Sequence, residues 1–169
     1  MSNCRRFDTA LAGEDFREFS YHLMNDRNFL PDVLLDMKRM LEEYQFMMGR
    51  CCQPFALVDN SNKIAGVFFI SDLVAGHEAT FYCWVWGKGV ITPATLRFIN
   101  EYIEHYAEEY QLARVVCRTP DDKGLGRLLE ALFMKLEARM KHGYKAGGKL
   151  MTLYAYRRLF GSNFPGGGV

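Results

Sequence analysis

Hydrophobic positions follow two periodicities along this chain, and together they predict a fold of helices and strands. Apolar residues at spacings of three and four favour helices, while apolar, aromatic and β-branched runs favour strands. Helices are predicted near 16–25, over 33–48 and 93–110, and from Thr119 through a leucine stripe that ends at Leu136. Strands are predicted at 3–11, 54–59, 63–73, 78–86, 112–117 and 150–160.

The order of these elements predicts an α/β protein with a mixed central sheet. The polar triplet 60–62 between two apolar runs indicates a hairpin, and the strand at 78–86 extends it to an antiparallel meander. The helix at 93–110 connects strands 78–86 and 112–117, which predicts that these two strands are parallel with a right-handed crossover. The meander is followed by β-α-β-α-β in one domain, 1–161, and the glycine-rich 162–169 is predicted to be a flexible tail.

Composition indicates a soluble protein of the cytoplasm. The 169 residues are 49% hydrophobic and 24% charged, and no apolar run approaches the roughly 20 residues that span a bilayer. The first residues, MSNCRRFD, lack the apolar core of a signal peptide. Five cysteines without a CxxC pair and four scattered histidines favour reduced thiols and no metal site.

Charge is distributed unevenly, although the net charge is only +1. Residues 1–110 hold 10 Lys/Arg against 16 Asp/Glu, and residues 111–169 hold 11 against 4. A basic final third would attract an anionic cofactor or substrate, or it would simply pair with the acidic first part once folded. The chain lacks the overall basic excess of a nucleic-acid-binding domain.

The segment from the strand at 78–86 into the next helix has the features of a phosphate site. Gly87-Lys88-Gly89 follows the strand, and Thr92-Pro93 is a typical helix start. Such a junction presents free N–H groups at the positive end of a helix dipole. It is neither a Walker loop nor a complete dinucleotide fingerprint, since Thr92 stands at the third glycine position. A plain turn is the alternative, and Trp84 and Trp86 either stack on an adenine or belong to the core.

Three segments resemble the GNAT superfamily of N-acetyltransferases. Residues 86–90 with Ala94 are similar to that family's rGkGyateA segment, and 127–132 with 135–139 are similar to its RLLEkLGFklEGr run. Residues 152–157 resemble its closing strand. The likeness is clearest over 78–160, and the first 77 residues agree only in the order of their elements.

This resemblance implies acetyl-CoA as cofactor, held between strands 78–86 and 112–117 where they splay apart. The loop N–H groups would hold the pyrophosphate, and N–H groups near Val85 would polarise the thioester carbonyl. The cofactor-binding residues implied are Trp84, Val85, Trp86, Gly87, Lys88, Gly89, Val90, Thr92, Thr119 and Asp122.

Catalysis on this interpretation needs an acceptor for the ammonium proton. Glu78 is the candidate base, directly or through water, with His77 as the alternative; a solvated strand end is the other interpretation of Glu78. Leu129 stands where many members carry a tyrosine acid. Two functions follow: an acetyl-CoA-dependent N-acetyltransferase for an amine of a small molecule or protein, or a GNAT-like binding or assembly module without catalysis. The oligomeric state is left open, a dimer being one alternative.

Overall fold

A single seven-stranded sheet organises the chain in the computed structural model, which describes residues 3–10, 13–25, 46, 48–120, 123–146 and 149–161. The order across the sheet is β1-β2-β3-β4-β5-β7-β6. The strands are β1 (Cys4–Arg6), β2 (Phe55–Val58), β3 (Ile64–Val74), β4 (Glu78–Val85), β5 (Arg114–Thr119), β6 (Lys135–Ala146) and β7 (Lys149–Leu159). The described helices are α1 (Glu14–Asn25), α2 (Pro93–Glu109) and α3 (Leu125–Ala131).

The pairing confirms the predicted α/β class with a mixed sheet. Strands β1 to β4 are antiparallel neighbours, and β4 pairs with β5 in parallel across α2, as its position between them predicts. Strand β7 then inserts between β5 and β6, antiparallel to both. The hairpin predicted around 60–62 joins β2 to β3.

Two hydrophobic clusters lie on opposite faces of the sheet because side chains alternate along each strand. Helices α2 and α3 cover one face, where Ile99, Ile103 and Leu129 are fully buried in the larger cluster. Helix α1 covers part of the other face, with Phe16 and Phe19 in the smaller cluster. These faces are called the α2–α3 face and the α1 face below.

The strand predicted at 112–117 begins two residues later, at Arg114. The chain leaves α2 through Gln111, whose φ is +50°. Leu112 is completely buried, but its N–H bonds to the Ala107 carbonyl at 2.8 Å and so closes the helix. Its apolar character therefore belongs to the helix end rather than to the strand.

The helix predicted from Thr119 to Leu136 is much shorter in the structure. Thr119 is the last residue of β5, and α3 begins only after Gly124, without a side-chain cap. The helix ends at Ala131, and Phe133 adopts a φ of +62° that turns the chain into β6. Leu136 lies in that strand. Its spacing of four residues from Leu132 fits a helix, and the predicted helix was therefore too long.

Strand β6 runs through Gly143, in a segment where no strand was predicted. Its ladder with β7 shifts between Met140 and Tyr144, and His142 has a φ of +57°. A Cβ on Gly143 would lie 2.9 Å from that of Met140, so glycine is required at this bulge. The bulge is called the β6 bulge below.

Several expectations fall outside the described residues. These are most of the helix over 33–48, of which only Phe46 and Met48 are described, together with Asp122 and the tail 162–169. Within the described part of the chain, no helix is long and apolar enough to cross a membrane. The same residues contain no group of three or more His, Cys, Asp or Glu side chains placed to hold a metal.

Tyr102 joins α2 to the sheet through its buried hydroxyl group. This oxygen accepts the Ile70 N–H at 2.9 Å and donates toward the Cys52 carbonyl at 3.4 Å. Burial raises the pKa of the phenol, which stays protonated and able to donate.

Replacing Tyr102 by Phe should leave the Ile70 N–H buried without an acceptor. The expected loss of stability is about 1–3 kcal/mol, and each kcal/mol should lower Tm by roughly 2–4 °C in a chain of this size. Tyr110→Phe is the matched control, because no hydrogen bond from that hydroxyl is present among the described residues. Equal thermal denaturation curves for the two variants would contradict this role for Tyr102.

Candidate functional site

A gap opens in the middle of the sheet between β4 and β5. Only three residue pairs connect these strands, the last being Thr80 with Val116. Beyond it β4 continues to Val85 beside β3, and β5 continues to Thr119 beside β7. The facing edges of the two strands therefore form no ladder with each other, as the splayed arrangement predicted. Backbone groups along such edges are available to an extended ligand.

Just beyond the end of β4, two successive N–H groups bond to the same carbonyl group. The N–H groups of Trp86 and Gly87 both donate to the Ala65 oxygen, at 2.9 and 2.8 Å. Since successive N–H groups of a strand point to opposite edges, the Val85 N–H points into the gap. This direction agrees with the role expected for an N–H group near Val85.

Gly87 owes its identity to packing. A Cβ at this position would lie 2.3 Å from the Cβ of Ala65, a distance that real structures do not allow. Its N–H is already bonded to the Ala65 carbonyl. The expectation that Gly87 donates to a pyrophosphate therefore meets a competing partner inside the protein.

The next residues of the loop are free to donate. Lys88 and Gly89 are exposed, Gly89 has a φ of +72°, and nothing lies within 4 Å of where its Cβ would be. Within the described part of the chain, the N–H groups from Lys88 to Ile91 have no acceptor. Val90 is buried in the core of the α2–α3 face and anchors this loop.

Two threonines fix the start of α2. The Thr95 N–H donates to Thr92 Oγ1 at 3.1 Å, as the predicted cap requires. Thr95 Oγ1 donates to the Val90 carbonyl at 3.0 Å, so the Thr92 hydroxyl is the donor in the 2.9 Å contact between the two side chains. Thr92 thus orients the loop through its capping role.

The two tryptophans lie on the α1 face. Trp84 packs against Phe19 with ring centroids 5.4 Å apart, and Trp86 stacks on His22 at 4.5 Å. The indole N–H of Trp86 donates to the Ile64 carbonyl at 3.1 Å. Of the two interpretations, this packing favours core residues over a platform for an adenine.

Glu78 lies where β4 and β5 are joined. Its carboxylate bonds to Arg114 Nε at 2.6 Å, across the first pair of the parallel ladder. His77 is exposed beside it, and its carbonyl accepts the N–H groups of Ala113 and Arg114. The structure therefore brings neither proposed base to the gap, which begins beyond Thr80. The ion pair favours a structural role for Glu78.

The remaining expected positions lie around β5 and α3. Thr119 is buried at the end of β5, opposite Tyr154 of β7. Leu129, at the position of the family's tyrosine, is fully buried against the sheet. Burial raises the pKa of Cys117 to about 12 and that of Cys83 well above its usual value, so neither thiol is a nucleophile.

A carboxylate–phenol pair on the α1 face was not predicted from the sequence. The Tyr82 hydroxyl donates to Asp72 Oδ2 at 2.6 Å. Burial and this hydrogen bond raise the pKa of Tyr82, which remains protonated. Asp72 has a φ of +53° where the β3–β4 register shifts between Ser71 and Val74. The available signal was that Asp72 is the one charged residue in the strand 64–74.

Comparison with solved structures identifies the fold as that of the GNAT acetyltransferases. A GNAT-family acetyltransferase from Bacillus anthracis is 14% identical, with a TM-score of 0.65 over 92% of this chain and 93% of the other. The ribosomal-protein-S5-alanine acetyltransferase of Vibrio fischeri is 16% identical, with a TM-score of 0.66 over 96% and 94%. Spermidine N-acetyltransferase from Vibrio cholerae, in complex with CoA and spermine, is 15% identical, with a TM-score of 0.66 over 92% and 94%.

No family model and no curated protein matches the sequence. The structures therefore establish the fold, and the expected resemblance to GNAT proteins is confirmed at that level.

Gly87→Ala should destabilise the protein in the absence of any ligand. The added methyl group collides with Ala65, and overpacking of this kind costs about 1–3 kcal/mol. Ala65→Gly removes the atom with which the new methyl group collides. Gly87→Ala should therefore cost less stability in the Ala65→Gly background than in the parent protein. Thermal denaturation of the three variants gives the coupling. An additive result would show that the contact does not restrict Gly87.

Proposed function

We propose that the chain is an acetyl-CoA-dependent N-acetyltransferase whose acceptor is an amine of a small molecule or protein. The observation that carries this proposal is the gap between β4 and β5. It ends beside a loop at the start of α2 whose N–H groups have no acceptor among the described residues. Solved structures with this fold include complexes with CoA and, in yncA, with acetyl-CoA.

The residues present fit this cofactor. The facing edges of β4 and β5 offer amide groups to the pantetheine arm, whose two amides need backbone partners. The N–H groups from Lys88 to Ile91 and the N-terminus of α2 suit the pyrophosphate, with Lys88 as a nearby point charge. We propose that the Val85 N–H, which points into the gap, bonds the thioester oxygen.

Bound acetyl-CoA would supply an acetyl group activated as a thioester. In the transfer, a bond between the amine nitrogen and the acetyl carbon would replace the carbon–sulfur bond of the thioester. The nitrogen would lose a proton, and the departing sulfur would take one from water. Tyr82, on the open part of β4, and its partner Asp72 are our candidates to take the proton from the amine. Asp72 accepts it through the hydroxyl of Tyr82 or through water.

A binding module without catalysis is the second candidate. One observation favours it: Leu129 is fully buried at the position where a tyrosine would protonate the departing sulfur. A chain of this kind would bind CoA without transferring the acetyl group.

Calorimetric titration with CoA tests the cofactor assignment. Binding of CoA to the native state should also raise Tm. When CoA is present at roughly one hundred times its Kd, the free energy of unfolding should rise by about 2.7 kcal/mol. Transfer to a panel of amines, followed by thiol release, then separates the two candidates. Absence of both heat and a Tm shift would reject the enzyme and the CoA-binding module together.

A comparison of two carboxylates tests the assignment of the base. Asp72→Asn should lower kcat by about 10²–10⁴-fold, the usual range for a general base, with little change in the Kd for CoA. Glu78→Gln should weaken the pairing of β4 with β5 and lower Tm, while kcat in the folded protein stays close to that of the parent. The reverse outcome would restore Glu78 as the base.

A further inference from the structure

One arginine at the gap, Arg118, differs from its neighbours in having no acidic partner among the described residues. Arg114 pairs with Glu78, Arg157 with Glu137 at 2.8 Å, and Arg158 with Glu104. Arg118, exposed near the end of β5, makes no ion pair or hydrogen bond within the described part of the chain. A guanidinium at a strand end beside a gap is therefore available to an anion.

The strand register places Arg118 on the α1 face, beside Tyr82. Val115 and Cys117 are buried on the α2–α3 face, so Arg118 projects from the opposite side of β5. Val116 pairs with Thr80, and each strand continues two residues to Arg118 and Tyr82 on either side of the gap. The positive charge of Arg118 also opposes the rise in the pKa of Tyr82 that burial and Asp72 cause.

Opposite charges thus flank the Tyr82 hydroxyl without neutralising each other. Asp72 bonds to this hydroxyl from β3, while Arg118 approaches from β5. The described ion pairs include none between Asp72 and Arg118. A carboxylate and a guanidinium held apart across one surface suit a ligand with an ammonium and a carboxylate group.

An apolar wall borders the same surface. The Tyr82 ring stacks on Phe69 at 5.1 Å and on Trp84 at 5.7 Å, with both pairs inclined by 19°. Tyr82 and Trp84 are partly exposed, so this stack offers contact area to an apolar ligand group.

We propose that the acceptor is an amine that carries its own carboxylate and an apolar side chain, such as a hydrophobic α-amino acid. Its ammonium group faces Asp72 and Tyr82, its carboxylate binds Arg118, and its side chain packs on Tyr82 and Trp84. The role of this ligand as acetyl acceptor rests on the proposed function, but its binding site does not. Polyamines would place a second positive charge near Arg118 and are disfavoured.

Equilibrium binding of matched ligands to the full chain, with and without CoA, tests this site. L-leucine is compared with L-leucinamide, which lacks only the negative charge, with isoamylamine, which lacks the carboxyl group, and with spermidine. L-phenylalanine and L-methionine extend the apolar series. Leucine should bind at least roughly tenfold more tightly than leucinamide, because a bidentate Arg–carboxylate pair is among the strong charge-assisted contacts.

Variants assign the effect to Arg118. Arg118→Ala should remove the preference for leucine over leucinamide, and Arg118→Lys should keep part of it, since lysine retains the charge but not the fork. Arg97→Ala is the matched control: it removes an equal charge from an exposed position on α2, on the other face of the sheet. CoA affinity, measured on the same samples, should be unchanged in all three variants.

Equal binding of leucinamide, isoamylamine or spermidine, unchanged leucine affinity in Arg118→Ala, or no binding of any of the three amino acids would overturn the inference. If CoA binds and only spermidine is acetylated, the proposed enzyme stands and this acceptor class falls. If amino acids bind through Arg118 while CoA does not, the site stands and the acetyltransferase falls.

Discussion

The structure depends on the unequal pairing of β4 and β5. Each is paired along its length with its outer neighbour, β3 or β7, but the two are paired with each other only at one end. Strand β4 stays paired with β3 as far as Val85, and β5 stays paired with β7 as far as Thr119. The three pairs that join β4 to β5 are too few to hold their far ends together. Backbone groups that would otherwise be bonded inside the sheet are thereby presented along an opening. The helix start at Thr92 and the charged surface around Tyr82 both lie beside this opening, and their proposed roles depend on it.

Local patterns predicted the elements whose signals lie within a few residues. The Thr92-Pro93 start of α2 and the hairpin at 60–62 have this character, because capping and turn chemistry act over a few positions. The leucines that continue past Ala131 predicted too long a helix, since a spacing of four residues fits a helix and also the even alternation of a strand. Residues 132–134 separate the two elements, and the turn depends on the left-handed φ of +62° at Phe133. A non-glycine residue gives no sequence signal for that conformation.

Site chemistry was harder to predict because its partners are distant in sequence. The sequence gives no sign that Glu78 is paired, but in the structure it accepts a hydrogen bond from Arg114, 36 positions later. Asp72 and Tyr82 are ten positions apart and meet only because of the irregular register between β3 and β4. For Gly87, the sequence identified a position that demands glycine, but the structure shows that Ala65 imposes the demand. Part of the uneven charge is likewise paired within the protein, since Arg114 and Arg158 form ion pairs with acids of the acidic part, residues 1–110.

The β6 bulge has a consequence for how copies of this protein behave at high concentration. Strand β6 is an outer strand of the sheet, and a long, straight outer strand would present a ladder of unsatisfied amides to a second molecule. The kink at His142 and Gly143 interrupts that ladder, and the exposed Lys141 adds charge beside it. At the opposite margin β1 is only three residues long and includes two arginines. Both margins of the sheet thus oppose strand-to-strand aggregation, which allows the centre of the sheet to remain open.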